Sequence, residues 1–136
     1  MASIWLFKTE PSSYAYDQLE RDKKTVWDGV KNPVARKHIA AVKKGDQVLI
    51  YHTGDEKAVI GVAKALSDGY PDPKQKDEKA AVVELAPVKR LKQPVTLAAL
   101  KQRPSLALFP LVRVPRLSAM PVSPAEWKEI EQLSRG

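Results

Sequence analysis

The sequence predicts a mixed α+β domain: a small barrel or strongly curled sheet with short helices at its edge. Three observations predict it. Short runs of strand-forming residues recur along the chain, as in "SIWLFKT", "DQVLIYHT" and "AVIGVAKAL". The helical patterns between them are brief and do not alternate regularly with strands, which argues against parallel βαβ winding. Eleven prolines are scattered through 136 residues, so the elements are many and short. Strands of this number and length curl or close, leaving few unpaired edges. The length fits a single domain over residues 1–136.

Each element follows from local chemistry. Residues 3–9 read as the first strand, which stops abruptly at Lys8-Thr9-Glu10-Pro11, three different polar groups and a strand breaker. A short helix is expected at Tyr16–Arg21, an extended piece at Thr25-Val26-Trp27 and a turn at Asp28-Gly29. The clearest helix is 32–44, with Asn32 as cap and Pro33 at the first helical position. Its spacing predicts a buried face of Val34, His38, Ala41 and Val42, flanked by Ala35 and Ile39. Lys43 and Lys44 then fall in the last turn, and Gly45 supplies a left-handed exit.

Residues 46–53 and 58–66 predict paired strands around a turn containing Gly54. A charged, proline-bearing loop follows over 70–79, and then a strand over 80–91 with Pro87 at an edge or bulge. Residues 96–102 predict a short amphipathic helix, and 105–122 irregular chain with strand pieces. Ser123-Pro124-Ala125-Glu126 is a capping box that opens a final helix, whose stripe is Trp127, Ile130 and Leu133.

Composition bounds the function. There is no cysteine, which excludes disulfides, thiolate metal sites and a cysteine nucleophile. Lys plus Arg is 23 against 16 acidic residues, a net charge of +7, so polyanions and first of all nucleic acid are the expected partners. No run is long enough to span a membrane, and Lys8 interrupts any signal-peptide pattern, so a cytoplasmic protein is expected. The phosphate-loop, nucleophile-elbow and dinucleotide fingerprints are missing. His38 sits on an apolar helix side and reads as a core residue. Glu10, Asp28, Asp46 and Asp55 show no acid–base spacing. No catalytic residue, metal or cofactor is assigned, and oligomeric state is not legible.

The aromatics say more. Trp5 lies deep in its apolar run and reads as core. Trp27 is followed by Asp28, Gly29, Lys31 and Asn32, and an indole at such a loop mouth suits stacking on a planar ligand. Tyr51 ends a strand beside His52 and Thr53, and Tyr70 stands where strand gives way to loop. Core packing is the competing role for each.

Five ordered blocks then carry a resemblance: "WLFKTEP" (5–11), "VWDGVKNPVAR" (26–36), "GDQVLIYHT" (45–53), "GVAKALSDGYPDP" (61–73) and "RLSAMPVSPAEW" (116–127). They resemble the EVE domain family over nearly the whole chain. The resemblance implies a PUA-like curled barrel, related to YTH domains, with a pocket for a modified nucleobase, modified cytosine in DNA above all. It implies that Lys8, Thr9 and Glu10 reach the pocket, that Trp27 forms a cage wall, and that Asn32 and Arg36 flank the opening. Tyr51 and His52 match the family's Tyr-His pair, and Tyr70 is the implied second wall. Lys31 stands where the family commonly has Arg, and the loop after Tyr70 is shorter than usual. Arg36, Lys37, Lys43 and Arg116 are the candidate phosphate contacts. Two alternatives stay open: an RNA-binding module using Lys89–Lys92, and a small nucleoside hydrolase or transferase using Glu10 and His52. A further alternative for Glu10 is to cap the helix that begins nearby.

Overall fold

The computed structural model describes residues 3–28, 30–74, 80–107, 109–114 and 117–135. Its strands are β1 (Ile4–Thr9), β2 (Thr25–Trp27), β3 (Gln47–His52), β4 (Ala58–Ala65), β5 (Tyr70–Pro71), β6 (Ala81–Thr96) and β7 (Ala119–Val122). Its helices are α1 (Tyr16–Asp22), α2 (Pro33–Ala41), α3 (Leu97–Lys101), α4 (Pro110–Arg113) and α5 (Pro124–Ser134), with a 3₁₀ turn at Pro104–Leu106. The strands form one sheet in the order β2-β6-β4-β3-β1-β7, and β5 adds to β6. β1 and β3 run parallel, and the other described pairs are antiparallel.

The sheet is a strongly curled half-barrel, because β6 is long and repeatedly bulged. It runs sixteen residues and pairs with β4, β2 and β5. Its register against β4 shifts between Val62 and Ala63, where Pro87 sits, and again between Val59 and Gly61. Each shift bends the strand and increases its twist. Pro87 thus occupies the bulge its residue type predicts. Pro121 sits in β7, whose described pairing is to β1 alone, so its missing N–H falls at an edge. Helix α2 packs on both β6 and β7.

Two close approaches fix the helices. The Tyr16 ring lies over Gly61, where a Cβ would come within 2.6 Å of it. The Tyr16 hydroxyl reaches the carbonyls of Val62 (2.8 Å) and Lys89 (2.9 Å), joining α1 to β4 and β6. Gly69 meets α2 so closely that a Cβ would stand 2.0 Å from the Ile39 carbonyl oxygen.

Helix α2 differs from expectation in length and in face. Asn32 caps it as predicted, its Oδ1 accepting from the N–H groups of Val34 (2.9 Å) and Ala35 (3.1 Å). The helix ends at Ala41, so Lys43 and Lys44 lie beyond the last turn. The cause is Asp46, whose buried carboxylate accepts from the Lys43 N–H, the Ser3 N–H and the Trp5 indole N–H, all at 2.9 Å. Capturing the Lys43 N–H pulls the chain into a turn instead of another helical residue. The buried face is Ala35, Ile39 and Val42, spaced i, i+4, i+7, while Val34 is 51% exposed. His38 is half-buried, 5.9 Å from the Trp5 ring, and burial pushes its pKa down. Among the described residues, no helix is long and apolar enough to cross a membrane.

Candidate functional site

The ends of β1 and β2 and the start of α2 converge on a cavity of about 670 Å³. That volume lies within the usual range of ligand pockets. β1 contributes Lys8 and Thr9, the residue that follows it contributes Glu10, β2 contributes Thr25 and Trp27, and the approach to α2 contributes Lys31 and Asn32. The abrupt polar end of the first strand therefore opens into this cavity.

Local hydrogen bonds hold that end in place. The Glu10 carbonyl accepts from the N–H groups of Ser13 and Tyr14, both at 2.9 Å, which turns the chain back after Pro11. Thr9 Oγ1 donates to the Tyr14 carbonyl at 2.6 Å. The Glu10 carboxylate accepts from Thr53 Oγ1 at 3.0 Å and from Ser12 Oγ at 3.4 Å. It caps no helix: the first turn of α1 is served instead by Gln18, whose Oε1 accepts from the Ala15 N–H at 2.6 Å. Glu10 is exposed and its carboxylate is oriented by neighbours.

The aromatic side of the cavity is Trp27 with Tyr14. Trp27 is 8% exposed and packs against Phe7, with ring centroids 5.7 Å apart at 42°. Tyr14 meets Trp27 edge-on, at 6.2 Å and 87°. Its hydroxyl donates to Asp22 Oδ2 at 3.1 Å, and burial pushes its pKa up. Tyr14 lines the cavity and is the aromatic residue there that sequence reasoning missed, along with Ser13, Thr25 and Ser118. The available signal was its place three residues after Pro11, in a chain that has to turn back on the strand end.

Lys8 is half-buried, and burial lowers its pKa. Its ammonium lies 5.7 Å from the centre of the Tyr51 ring, a cation–π contact. Asn32 spends its side-chain oxygen on the helix cap, so its amide NH2 is what it can offer a ligand.

The cavity thus brings together Lys8, Thr9, Glu10, Trp27 and Asn32 from the predicted set, and three others stand elsewhere. Tyr51 is 3% exposed, packed against Lys8 from the core side. His52 is buried with both ring nitrogens engaged: Nε2 accepts from the Tyr16 N–H at 3.0 Å, and Nδ1–H donates to Glu56 at 2.9 Å. It anchors α1 and does not line the cavity. Tyr70 lines a separate cleft on the other side of α2.

Among the candidate phosphate contacts, Arg36 and Lys37 also line that cleft. Lys43 is exposed beyond the far end of α2. Arg116 lies outside the described residues, as does Gly29 of the predicted turn. In the Lys89–Lys92 stretch, Arg90 is engaged by Asp17 and Glu20 of α1 and lies over the Tyr16 ring. Among the described residues, no three His, Asp or Glu side chains cluster as a metal site.

Comparison with known proteins agrees with this architecture. A family model described as "EVE domain" matches residues 3–133. Human thymocyte nuclear protein 1 is 30% identical over 127 residues, covering 74% of this chain, which spans 56% of that protein's length. A Rhodopseudomonas palustris protein solved by NMR superimposes with a TM-score of 0.92 at 37% identity, covering 98% of this chain and 94% of the other. The crystal structure of human THYN1 in complex with DNA containing 5-methylcytosine superimposes with a TM-score of 0.89 at 25% identity, covering 99% of each chain.

Proposed function

The chain belongs to the EVE domain family, and from that premise we propose that it binds nucleic acid by admitting one modified base, modified cytosine in DNA, to the cavity beside Trp27 and Tyr14. The observation that carries this is the meeting of Lys8, Thr9, Glu10, Trp27 and Asn32 around one cavity. The human relative crystallised with 5-methylcytosine DNA supports the choice of guest.

A nucleobase is flat, apolar on its faces and polar at its edge. Trp27 is the inner wall against one face, because so little of it is exposed, and Tyr14, nearly at right angles to it, closes the side of the cavity. The Glu10 carboxylate accepts from the exocyclic amine of cytosine. Lys8 and the Asn32 amide donate to a ring carbonyl or phosphate. The engagement of both His52 nitrogens, outside the cavity, takes the histidine out of a Glu10–His52 catalytic pair and so favours binding over turnover by that pair.

Extruding a base from a duplex costs a few kcal/mol, and stacking on one aromatic returns about 1–3 kcal/mol. Phosphate contacts from Arg36, Lys37, Lys43 and Arg116 supply the balance and make affinity fall with salt. One buried methyl adds about 0.8 kcal/mol, roughly fourfold in affinity, so modification is preferred moderately.

The test is a titration of labelled oligonucleotides carrying cytosine or 5-methylcytosine, with structured RNA as competitor. Trp27→Ala is expected to weaken binding about fivefold or more. Glu10→Gln, which removes a charge-assisted hydrogen bond from an exposed side chain, is expected to cost about tenfold. Unchanged affinities in Trp27→Ala would refute the pocket, and preference for the RNA would make this an RNA-binding module.

A further inference from the structure

The sequence singles out Tyr70, yet Tyr70 does not reach the main cavity. It lines a second cleft of about 530 Å³, with Pro33, Arg36, Lys37 and Ala40 of α2 on the facing side. Two observations join this cleft to the main cavity. Asn32 lines one and Pro33 the other, so a single residue step, about 3.8 Å between Cα atoms, separates their lips. Arg36, in the cleft, donates from Nε to the carbonyl of Val30, in the cavity, at 2.7 Å. The partition is no thicker than the first turn of α2. Adjacent nucleotides rise about 3.4 Å along a stacked strand and stand further apart when unstacked, so one strand spans the partition.

The geometry points to the cleft as the seat of the neighbouring nucleotide. With the modified base in the main cavity, the strand crosses the lip at Asn32–Pro33, the intervening phosphate meets the exposed Lys37, and the next base stacks on Tyr70. Tyr70 is a firm platform. β5 pairs it with Val82, and the Gly69 N–H donates to the Val42 carbonyl at 2.9 Å. A phenol ring reads the face of a base and not its edge, so the neighbour's presence matters and its identity matters little.

This inference rests on the proposed binding of a modified base. Its test uses single-stranded oligonucleotides carrying one 5-methylcytosine, with an abasic site on its 5′ or its 3′ side. An abasic site on one side is expected to weaken binding by wild type about fivefold or more, and on the other side to change nothing. Tyr70→Ala, and Tyr70→Leu as the variant that keeps apolar bulk, are expected to erase the difference between intact and abasic ligands. Lys37→Gln is expected to lower the slope of log affinity against log salt by about one. Trp27-dependent binding that ignores both abasic sites, or a Tyr70→Leu loss equal on intact and abasic ligands, overturns the neighbour site alone. No binding to any of these oligonucleotides overturns the base-binding function with it.

Discussion

Gly69→Ala isolates the contact that seats α2 between its two cavities. The new Cβ would stand 2.0 Å from the Ile39 carbonyl oxygen and 2.8 Å from the Ala40 Cα, both backbone atoms that cannot rotate away. Either α2 or the 66–70 segment has to move by about 1 Å to restore ordinary contact distances. Overpacking of this kind costs about 1–3 kcal/mol. The same movement strains or breaks the hydrogen bond from the Gly69 N–H to the Val42 carbonyl, about 1 kcal/mol more. The expected loss is therefore about 2–4 kcal/mol. At about 2.1 cal/mol/K of unfolding entropy per residue, a chain of 136 residues loses about 7–14 °C in Tm. Thermal unfolding followed by circular dichroism reads this directly, with urea unfolding as the isothermal check. Displacing α2 also displaces Asn32 and Lys37, so oligonucleotide affinity should fall at temperatures where the variant is still folded. A Tm within about 2 °C of wild type, well below the worked shift, would show that α2 is not packed on Gly69 and refute the reasoning.

Asp46→Asn replaces an oxygen that accepts from both Trp5 Nε1–H and the Lys43 N–H, or else the one that serves the Ser3 N–H, by a donor. Leaving at least one buried donor facing another should cost about 2–4 kcal/mol, and a urea midpoint equal to wild type would contradict the hub. Burial raises the pKa of Tyr16 and Tyr51 above the ordinary 10.0. The unfolded chain then releases these protons first, so stability is fully present below about pH 10 and falls as pH rises through the folded-state values. Tyr51→Phe should flatten that alkaline decline, and urea midpoints with the same pH slope as wild type would count against it. Thr53→Val removes the donor at 3.0 Å that orients the Glu10 carboxylate while leaving its charge. It should weaken binding of a 5-methylcytosine oligonucleotide less than Glu10→Gln does, and an equal or larger loss would mean that Thr53 itself meets the ligand.

The local plan was legible because local chemistry writes it. Asn32 and Pro33 announce the start of α2, and Ser123 with Glu126 announces the start of α5, since capping uses neighbours in sequence. The polar stop at Lys8–Glu10 and the loop-mouth position of Trp27 marked the cavity from two strand ends 17 residues or more apart in the chain, and both line it. Strand identity, the bulge at Pro87 and the family came from the same kind of signal.

What only tertiary structure decided were relations between distant segments. Asp46 ended α2 early because its carboxylate sits where Ser3, Trp5 and Lys43 meet. The rotation of α2 that buries Ala35 and exposes Val34 followed from packing on β6 and β7, strands that periodicity within the helix does not see. Tyr51, His52 and Tyr70 all stood at strand ends, as the site residues do. Yet side chains alternate across a strand, and α2 stands between Tyr70 and the cavity. Tyr14 joined Trp27 only once the chain folded back on Glu10. A residue's type and neighbours fix what it is able to do; which partners it meets is set by the curl of the sheet, which no single stretch of sequence contains.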